Sequence, residues 1–316
     1  MADEKIVVGK DTRFPLNGIL SIPGGAEGHG GAEGPFPAAI LVHGSGSTNM
    51  DEKIMENRPF RDLAEGLSKR GIAVIRYDKR SFVYGRKLVK DPGFTVYDET
   101  IDDVLKATEI LRADPRIDGD RIFVIGHSMG AMLAPQADVM GGDFAGLVLM
   151  AGTPRTLETV LFEQTEEMLE TAKGLYRFFL KRMLKSLQKK LSGLYEMNDE
   201  EAKKIKVMGG ATAYYFKNMG ENSVPLYLSK TNKPMLILQG EKDAQISADR
   251  DFDVYKELLS GRDNVTFRLY PELNHLFMKS TYGTIGDLKK EYKIPGRVDE
   301  GVIDDIAGWI ASLRSQ

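Results

Sequence analysis

Six short apolar runs recur along the chain at intervals that leave room for a helix between most of them. Each run is apolar at nearly every position, which is typical of strands covered on both faces of a parallel sheet. The runs are AAILVH (38–43), IAVIRY (72–77), RIFVIG (121–126), GLVLMA (146–151), PMLILQ (234–239) and VTFRLY (265–270). Apolar residues at helical spacing mark FRDLAEGLSKR (60–70), DETIDDVLKATEILRA (98–113) and EGVIDDIAGWIASL (300–313). This alternation predicts an α/β fold with a mostly parallel central sheet flanked by helices.

The N-terminal region departs from this alternation. EKIVVG (4–9) and LNGILSIP (16–23), with Asn17-Gly18 as a turn signal, predict an antiparallel hairpin at the edge of the sheet. The segment GGAEGHGGAEGPFP (24–37) lacks the lysine and the following helix of a phosphate-binding loop. We therefore expect it to be a flexible connector without a chemical role.

The interval 153–233 separates the fourth and fifth apolar runs. Its periodicity is helical throughout, and it contains no evident strand. An interval of this length is too long for a loop within a packed domain, so we predict a helical cap inserted into the main domain. The expected division is the first part of the core at 1–152, the cap at 153–233 and the second part of the core at 234–316.

The third apolar run ends on a serine between two glycines, Gly126-x-Ser128-x-Gly130. A serine at this place could simply cap the next helix. Glycine at both flanking positions instead favours a sharp strand-to-helix turn that strains the serine backbone and exposes its hydroxyl. Ser128 is therefore a candidate nucleophile.

The first apolar run is followed by Gly44-Ser45-Gly46, which taken alone could be no more than a glycine-rich turn. In an acyl-transfer enzyme, backbone N–H groups of such a turn would stabilise the negative charge that develops on the carbonyl oxygen. The predicted donors are the N–H of Ser45 and that of Met129, the residue after the candidate nucleophile.

A serine hydroxyl becomes an effective nucleophile only when a base takes its proton and another group orients that base. Of the four histidines, His275 is the one in a loop after a late strand, within LYPELNHLFM. The others lie in the connector (His29), in the turn after the first run (His43) and beside the serine with the side chain expected to point away (His127). His275 is therefore the predicted base.

The orienting acid is expected between the serine and the histidine, in the loop after PMLILQ. Asp243 is preferred, because it lies deep in that loop and leaves room for a helix and a strand before His275. Glu241 is the fallback. Three more carboxylates in the next helical stretch are expected to be solvated surface charges, namely Asp249, Asp251 and Asp253.

Composition narrows the classes of partner. The chain has 316 residues, 42% of them hydrophobic, and a formal charge of −3 from 43 basic and 46 acidic residues, so no global field favours nucleic acid. We expect a cytoplasmic protein, with membrane contact unfavoured, because no leader pattern and no apolar run of spanning length is evident. The absence of cysteine and of HExxH or GxGxxG patterns predicts neither a metal nor a cofactor. The oligomeric state is left open.

HGSG, FRDLAEGLSKRGIAVIRYDKR, GHSMG, LILQGEKD and LNHLF, in this order, resemble the α/β-hydrolase superfamily and, within it, bacterial serine carboxylesterases with a helical cap. The resemblance spans about residues 14–313 and is weakest in the cap. It implies Ser128 as nucleophile, His275 as general base and acid, Asp243 as its orienting partner, and the backbone of Ser45 and Met129 as oxyanion donors.

Two charged segments are interpreted as structural. RYDKR (76–80) also matches this branch, and we expect Asp78 and Arg80 to tie loops near the sheet edge, since no step of ester hydrolysis needs a cation there. The basic stretch YRFFLKRMLKSLQKKLSGL (176–194) resembles an interfacial membrane helix. We favour a cap helix whose apolar side covers the active site.

The predicted activity is hydrolysis of carboxylic esters with small to medium acyl chains. The same apparatus could cleave thioesters, lysophospholipids, aromatic-acid (feruloyl-type) esters or small amides, and the fold could also serve as a non-catalytic binding module. Large apolar and aromatic side chains in the interval 153–233 favour a closed apolar pocket over a sugar site or a peptide groove. The candidate pocket residues are Tyr214, Tyr215 and Phe216.

Overall fold

The computed structural model describes residues 1–24 and 34–313. Most of the glycine-rich segment 24–37, including His29, lies outside these residues, so its role as a connector stays a prediction. The strands in the described ranges are β1 (Ala2–Val8), β2 (Leu16–Ile22), β3 (Phe36–Val42), β4 (Ala73–Tyr77), β5 (Ile117–His127), β6 (Gly146–Met150), β7 (Lys206–Met208), β8 (Ala211–Thr212), β9 (Met235–Gly240) and β10 (Val265–Tyr270).

Eight of these strands form the main sheet, in the order β1-β2-β4-β3-β5-β6-β9-β10. Every pairing from β4 to β10 is parallel, whereas β1 with β2 and β2 with β4 are antiparallel. β4, β6 and β9 are buried at every position, which explains why their sequences are apolar except for the buried Arg76 in β4 and Gln239 in β9. The predicted α/β architecture with a mostly parallel sheet is confirmed, and each of the six apolar runs contributes a strand.

The N-terminal hairpin is present, but its predicted turn is wrong. Asn17 and Gly18 lie inside β2, and the chain reverses between residues 9 and 15, where Gly9 has a φ of 62° and accepts a hydrogen bond from Thr12 N at 2.9 Å. Gly18 has a different role, because a Cβ there would lie 2.7 Å from the carbonyl oxygen of Arg76 on β4. The glycine permits a close approach of two strands and not a turn.

Helices cover both faces of the sheet. They are α1 (Pro59–Lys69), α2 (Arg80–Leu88), α3 (Asp102–Ala113), α4 (Met129–Ala137), α5 (Leu157–Thr171), α6 (Gly174–Leu191), α7 (Asp199–Lys204), α8 (Ala213–Glu221), α9 (Val224–Leu228), α10 (Asp253–Leu258), α11 (Leu288–Glu291) and α12 (Glu300–Ser312). One face is covered by α1 and α12, and the other by α3 and α4, each through its own buried apolar cluster. Over residues 1–24 and 34–313, none of the helices is long and apolar enough to cross a membrane.

The interval 153–233 contains α5 to α9 and one two-stranded hairpin, β7 with β8. The expectation of an interval without strands is therefore wrong over residues 206–212. Gly209 and Gly210 have φ values of 59° and 92°, and two consecutive residues with positive φ form the tight turn that hairpins favour. The division of the chain into a core and an inserted cap stays a prediction.

Candidate active site

Ser128 lies at the junction of β5 and α4, with a φ of 54° and a ψ of −117°. A positive φ is unfavourable for a residue that carries a side chain. The turn can be this sharp because glycine flanks it. A Cβ on Gly126 would lie 2.3 Å from the carbonyl oxygen of Gly130, and one on Gly130 would lie 2.0 Å from that of Val42. The spacing of glycines around Ser128 therefore has a steric cause, and the strand-to-helix turn is present as predicted.

A cavity of about 500 Å³ lies beside this turn. Ser128 lines it together with Ser45 and Met129, the two residues whose backbone N–H groups are the predicted oxyanion donors. Met129 is the first residue of α4, so its N–H has no acceptor within the helix and is free to bind an anion. The predicted nucleophile and both predicted donor residues therefore border the same cavity.

Asp243 and His275 are in contact, and both are almost fully buried. Nδ1 of His275 lies 2.7 Å from Oδ2 of Asp243. Because a carboxylate only accepts hydrogen bonds, Nδ1 is the donor, and Nε2 remains to take a proton. Oδ1 of Asp243 accepts from the backbone N–H groups of Gln245 at 2.8 Å and Ile246 at 3.0 Å, which fixes the carboxylate. Glu241, the fallback acid, is exposed, so the geometry favours Asp243.

The hydroxyl of Ser128 makes no hydrogen bond to His275 in the described ranges, so one contact of the expected triad is not formed. The link between the two residues runs through His127, which precedes Ser128 and whose ring centroid lies 4.8 Å from that of His275. Neither Asp243 nor His275 is among the residues that line the cavity. Catalytic hydrogen bonds are often loose without substrate and tighten when it binds.

One carboxylate expected at the surface is buried. Asp251 has no exposed surface and accepts hydrogen bonds from Thr153 at 2.5 Å and from Nε of Arg155 at 2.7 Å. It ties the start of the interval 153–233 to the segment after β9. Asp249 and Asp253 are exposed, as predicted.

The three candidate pocket residues divide between two environments. Tyr215 and Phe216 line the cavity, whereas Tyr214 is not among its lining residues and has Nζ of Lys203 at 5.0 Å from its ring centroid. Successive side chains on α8 are about 100° apart around the helix axis, so three adjacent residues cannot all face one cavity. The placement of Tyr214 in the pocket is therefore corrected.

The turn after β3 is held by two charged side chains that the sequence reasoning missed. The backbone N–H of Gly44 donates to Oε1 of Glu52 at 2.8 Å, and Nζ of Lys79 donates to the carbonyl oxygen of Gly44 at 2.8 Å. A Cβ on Gly44 would lie 3.1 Å from that of Ser128, so the turn passes close to the candidate nucleophile. Such partners have no local sequence signal, because they lie 8 and 35 positions from the glycine.

Glu52 and His127 form a buried pair behind this turn. Nδ1 of His127 lies 2.9 Å from Oε2 of Glu52, and its Nε2 lies 2.8 Å from the carbonyl oxygen of His275. Burial is the largest influence on the pKa of His127 and lowers it, but Glu52, the carbonyl oxygen of His275 and the charge of Asp243 together raise that pKa on balance. Burial likewise acts to raise the pKa of Glu52, and His127 lowers it on balance. By contrast, burial lowers the pKa of His43 to about 4, so that histidine is neutral near pH 7.

Lys79 also contacts a carboxylate at the cavity. Its Nζ lies 3.4 Å from Oε1 of Glu99, a cavity-lining residue whose Oε2 accepts a hydrogen bond from the Tyr215 hydroxyl at 2.6 Å. Burial is the largest influence on the pKa of Glu99 and raises it, but Lys79, Ser81 and Tyr215 together bring that pKa below its ordinary value. The wall of the cavity therefore contains a buried ion pair as well as apolar side chains.

The other charged residues of RYDKR tie loops, in agreement with their interpretation as structural. Oδ1 of Asp78 accepts from the backbone N–H of Met50 at 2.9 Å, and Nη2 of Arg80 donates to Oδ2 of Asp102 at 2.6 Å and also to Asp103. Lys79 differs from them because it contacts the turn next to Ser128.

The basic helix α6 does not cover the cavity as expected. Its buried residues are Leu180, Leu187 and Leu191, which pack within the protein, and none of its residues is among those that line the cavity. Phe178 and Phe179 are 59% and 63% exposed. The side of the cavity formed by the interval 153–233 comes instead from α5, the β7–β8 hairpin and α8.

Comparison with known proteins decides the family. The model of the family described as "Serine aminopeptidase, S33" matches residues 40–281, which contain the Ser128 turn, Asp243 and His275. The chain belongs to this family of α/β-hydrolases. Among curated proteins, this S33 family member is 36% identical to Esterase EstD of Thermotoga maritima over 296 residues, which are 93% of this chain and 65% of that protein. The chain thus spans about two thirds of the relative's length.

Solved structures show the same fold for this member of the S33 family. An esterase of Pyrococcus furiosus matches with a TM-score of 0.59 and 14% identity, covering 99% of this chain and 92% of its own. Est1E of Butyrivibrio proteoclasticus matches with a TM-score of 0.57 and 18% identity, covering 97% of this chain and 99% of its own. The predicted α/β-hydrolase fold is confirmed, and the resemblance that the sequence motifs suggested is correct.

Proposed function

We propose that this chain is a serine hydrolase that cleaves carboxylic esters of small to medium acyl chains through an acyl-enzyme on Ser128. The observation that carries the proposal is the strained Ser128 turn beside a cavity, together with the contact between Asp243 and His275, whose backbone carbonyl oxygen lies 2.8 Å from Nε2 of His127. The identity with Esterase EstD supports ester cleavage over other acyl transfers. The activity is a proposal because the relative extends well beyond the part that this chain matches.

In the first half of the proposed cycle, Nε2 of His275 takes the hydroxyl proton of Ser128 as Oγ attacks the ester carbonyl carbon. The carbonyl oxygen becomes an oxyanion that accepts hydrogen bonds from the N–H groups of Ser45 and Met129. Asp243 holds Nδ1–H and stabilises the imidazolium. The bond to the alkoxy oxygen then breaks, and the alcohol leaves with the proton from Nε2.

In the second half, a water molecule takes the place of the alcohol. Nε2 of His275 removes its proton as the water oxygen attacks the acyl carbon, and the same two N–H groups hold the second oxyanion. The bond to Oγ of Ser128 breaks, the hydroxyl recovers its proton from Nε2, and the carboxylic acid leaves. Side chains and backbone of this chain perform every step of the proposed cycle.

The cavity supports a small to medium acyl group. Its volume of about 500 Å³ lies in the range of pockets that enclose a small organic molecule. The apolar residues that the interval 153–233 contributes to the lining are Leu157, Val160, Leu161, Met208, Ala211 and Phe216. Such a lining favours an alkyl or aromatic acyl chain over a sugar or a charged peptide.

A hydrolysis series tests this proposal. p-Nitrophenyl esters from acetate to palmitate would be compared with a thioester and an anilide of the best acyl group, and a fluorophosphonate probe would report a reactive serine. We expect the highest kcat/KM for acyl groups between acetyl and octanoyl, and probe attachment at Ser128 in a peptide map. Preference for the thioester or the anilide would change the reaction class, and absence of both turnover and labelling would indicate a binding module.

The wall of the cavity should control acyl-chain length. Replacing Phe216 with alanine enlarges the cavity, so the ratio of kcat/KM for octanoyl over butanoyl ester should rise about tenfold. Replacing Tyr214 with alanine is the matched control, because the neighbouring side chain lies outside the cavity. That variant should leave the ratio within about twofold of the wild type.

Thermal unfolding separates this effect from loss of packing. Phe216 is buried, so its variant should have a lower Tm, and the ratio must be measured well below that temperature. Leu161→Trp fills the same cavity and should lower the ratio. If Phe216→Ala and Leu161→Trp shift the ratio in the same direction, or if Tyr214→Ala shifts it as much, this wall does not select the acyl group.

A further inference from the structure

Gly44 is clamped from both sides by buried side chains of opposite charge. Its N–H is bound by Glu52 and its carbonyl oxygen by Lys79, each at 2.8 Å, and both charged residues are 2% exposed. Removing a charged side chain from water costs free energy, and two charged side chains are buried here to bind one glycine. An uncharged side chain could anchor the loop equally well, so loop anchoring alone does not explain why both partners are charged.

The peptide unit between Gly44 and Ser45 links this clamp to the chemistry. The carbonyl oxygen of Gly44 and the N–H of Ser45 belong to the same planar unit, and in a trans peptide they point in opposite directions. A hydrogen bond from Lys79 to that oxygen therefore fixes the direction in which the Ser45 N–H points. A cationic donor on the oxygen also polarises the unit and makes its N–H a stronger donor.

We propose that Lys79 and Glu52 are positioning residues that aim and strengthen the Ser45 N–H as an oxyanion donor. This inference rests on the proposed function, because it concerns the oxyanion of that reaction. Lys79 acts on the carbonyl side of Gly44 and Glu52 on its N–H side, so the glycine cannot rotate about either neighbouring bond. Neither side chain is among the residues that line the cavity.

Partners on both sides hold the clamp in place. Glu99 lies 3.4 Å from Lys79 and directs its amine, while Oε2 of Glu52 lies 2.9 Å from Nδ1 of His127. The His127 ring lies between two oxygen atoms, Oε2 of Glu52 and the carbonyl oxygen of His275 at 2.8 Å from its Nε2, and the pKa of His127 is raised. Glu52 itself has a φ of 49°, a strained backbone that a packed and bonded environment must maintain.

The test measures kcat and KM for three variants and one matched control over a range of ester concentrations. Lys79→Met keeps most of the side-chain length and removes the donor, and Glu52→Ala removes the acceptor, whereas Glu52→Gln keeps an oxygen that can accept from Gly44. Arg80→Met is the control, because it removes the neighbouring buried cation, which bonds to Asp102 and Asp103 and not to this turn.

We expect Lys79→Met and Glu52→Ala to lower kcat by about 10- to 100-fold, since removing an oxyanion donor outright costs about 10²- to 10³-fold. KM should change by less than about threefold, and Glu52→Gln should recover most of the lost kcat. A trifluoromethyl ketone, whose adduct with Ser128 carries an oxyanion, should lose affinity in proportion to the loss of kcat/KM. Anchoring of the loop alone would not produce that proportionality.

The outcomes separate the clamp from the function on which it rests. If the wild type hydrolyses no ester, both proposals are overturned. If the wild type is active but Lys79→Met keeps full kcat, or if Arg80→Met loses as much kcat at equal Tm, the clamp is overturned and the proposed function stands. Should Lys79→Met fail to fold, Glu52→Ala and Glu52→Gln decide the question through the same ketone series.

Discussion

Replacing Ser128 with alanine is expected to lower kcat by at least about 10³-fold while the protein stays folded. The hydroxyl is the proposed nucleophile, and without it only the oxyanion donors and substrate binding remain to accelerate the reaction. Alanine keeps the Cβ of serine, so the strained turn between β5 and α4 has no steric reason to change. The measurement is kcat on the best p-nitrophenyl ester, with Tm recorded for the same purified sample.

Ser192→Ala is the control for this prediction, because Ser192 is an exposed serine that follows α6 and does not line the cavity. It should keep wild-type kcat and wild-type labelling by a fluorophosphonate, whereas Ser128→Ala should lose both. Ester turnover near the wild-type rate in a purified Ser128→Ala sample would remove the nucleophile from the proposal and with it the acyl-enzyme.

The sequence predicted best those features that follow from local geometry. A strand buried on both faces needs mostly apolar residues, so the six runs predicted six of the eight strands of the main sheet. A turn as tight as the one at Ser128 needs glycine at positions 126 and 130, because any Cβ there would overlap backbone atoms. Order along the chain then pointed to Asp243 and His275, and the two side chains are in contact. In each of these cases the cause of the structure lies within a few residues or in a known order of elements.

Errors arose where one sequence signal has several structural causes. Asn17-Gly18 is a common turn pair, but Gly18 serves a close approach to β4, and a propensity cannot distinguish the two. Gly209-Gly210 carried the same kind of signal and does form a turn, within an interval whose strong helical periodicity masked two very short strands. Local glycine patterns predict that the backbone is unusual, and tertiary contacts decide in which way.

The burial of charged side chains and the identity of their partners could not be predicted from the sequence. Aspartate is usually found at the surface, yet Asp251 is fully buried. Its burial is possible because Thr153 and Arg155, from a distant part of the chain, donate hydrogen bonds to its carboxylate. The same limit applies to Lys79, since its partners Glu99 and Gly44 lie far from it in the sequence and contact it only after β3 and β4 pair. The role of a charged side chain depends on its partners, and partners that lie tens of residues away produce no periodic pattern in the sequence.

Replacing Asp243 with asparagine is expected to lower kcat by about 10²- to 10⁴-fold. The amide can donate to Nδ1 of His275, which would place the ring proton on Nε2 and prevent that nitrogen from accepting the proton of Ser128. Folding should survive, because the amide oxygen can still accept from the backbone N–H groups of Gln245 and Ile246. A small loss of Tm is expected, because in the wild type Nε2 of Gln239 donates a hydrogen bond to Oδ2 of Asp243, and an amide nitrogen at that position could not accept it.

Glu241→Gln gives the comparison that makes this result decisive. Glu241 lies two positions earlier in the same loop, carries the same charge and is exposed, so its variant should keep kcat within about threefold of the wild type. Both variants would be assayed on the same ester over a range of pH, with kcat and KM determined separately and Tm recorded. The expected result is a loss of kcat for Asp243→Asn at nearly constant KM, because the change affects proton transfer more than substrate binding. A large loss for Glu241→Gln with near-normal turnover of Asp243→Asn would instead assign the orienting role to Glu241, and the 2.7 Å contact of Asp243 with His275 would then be a structural one.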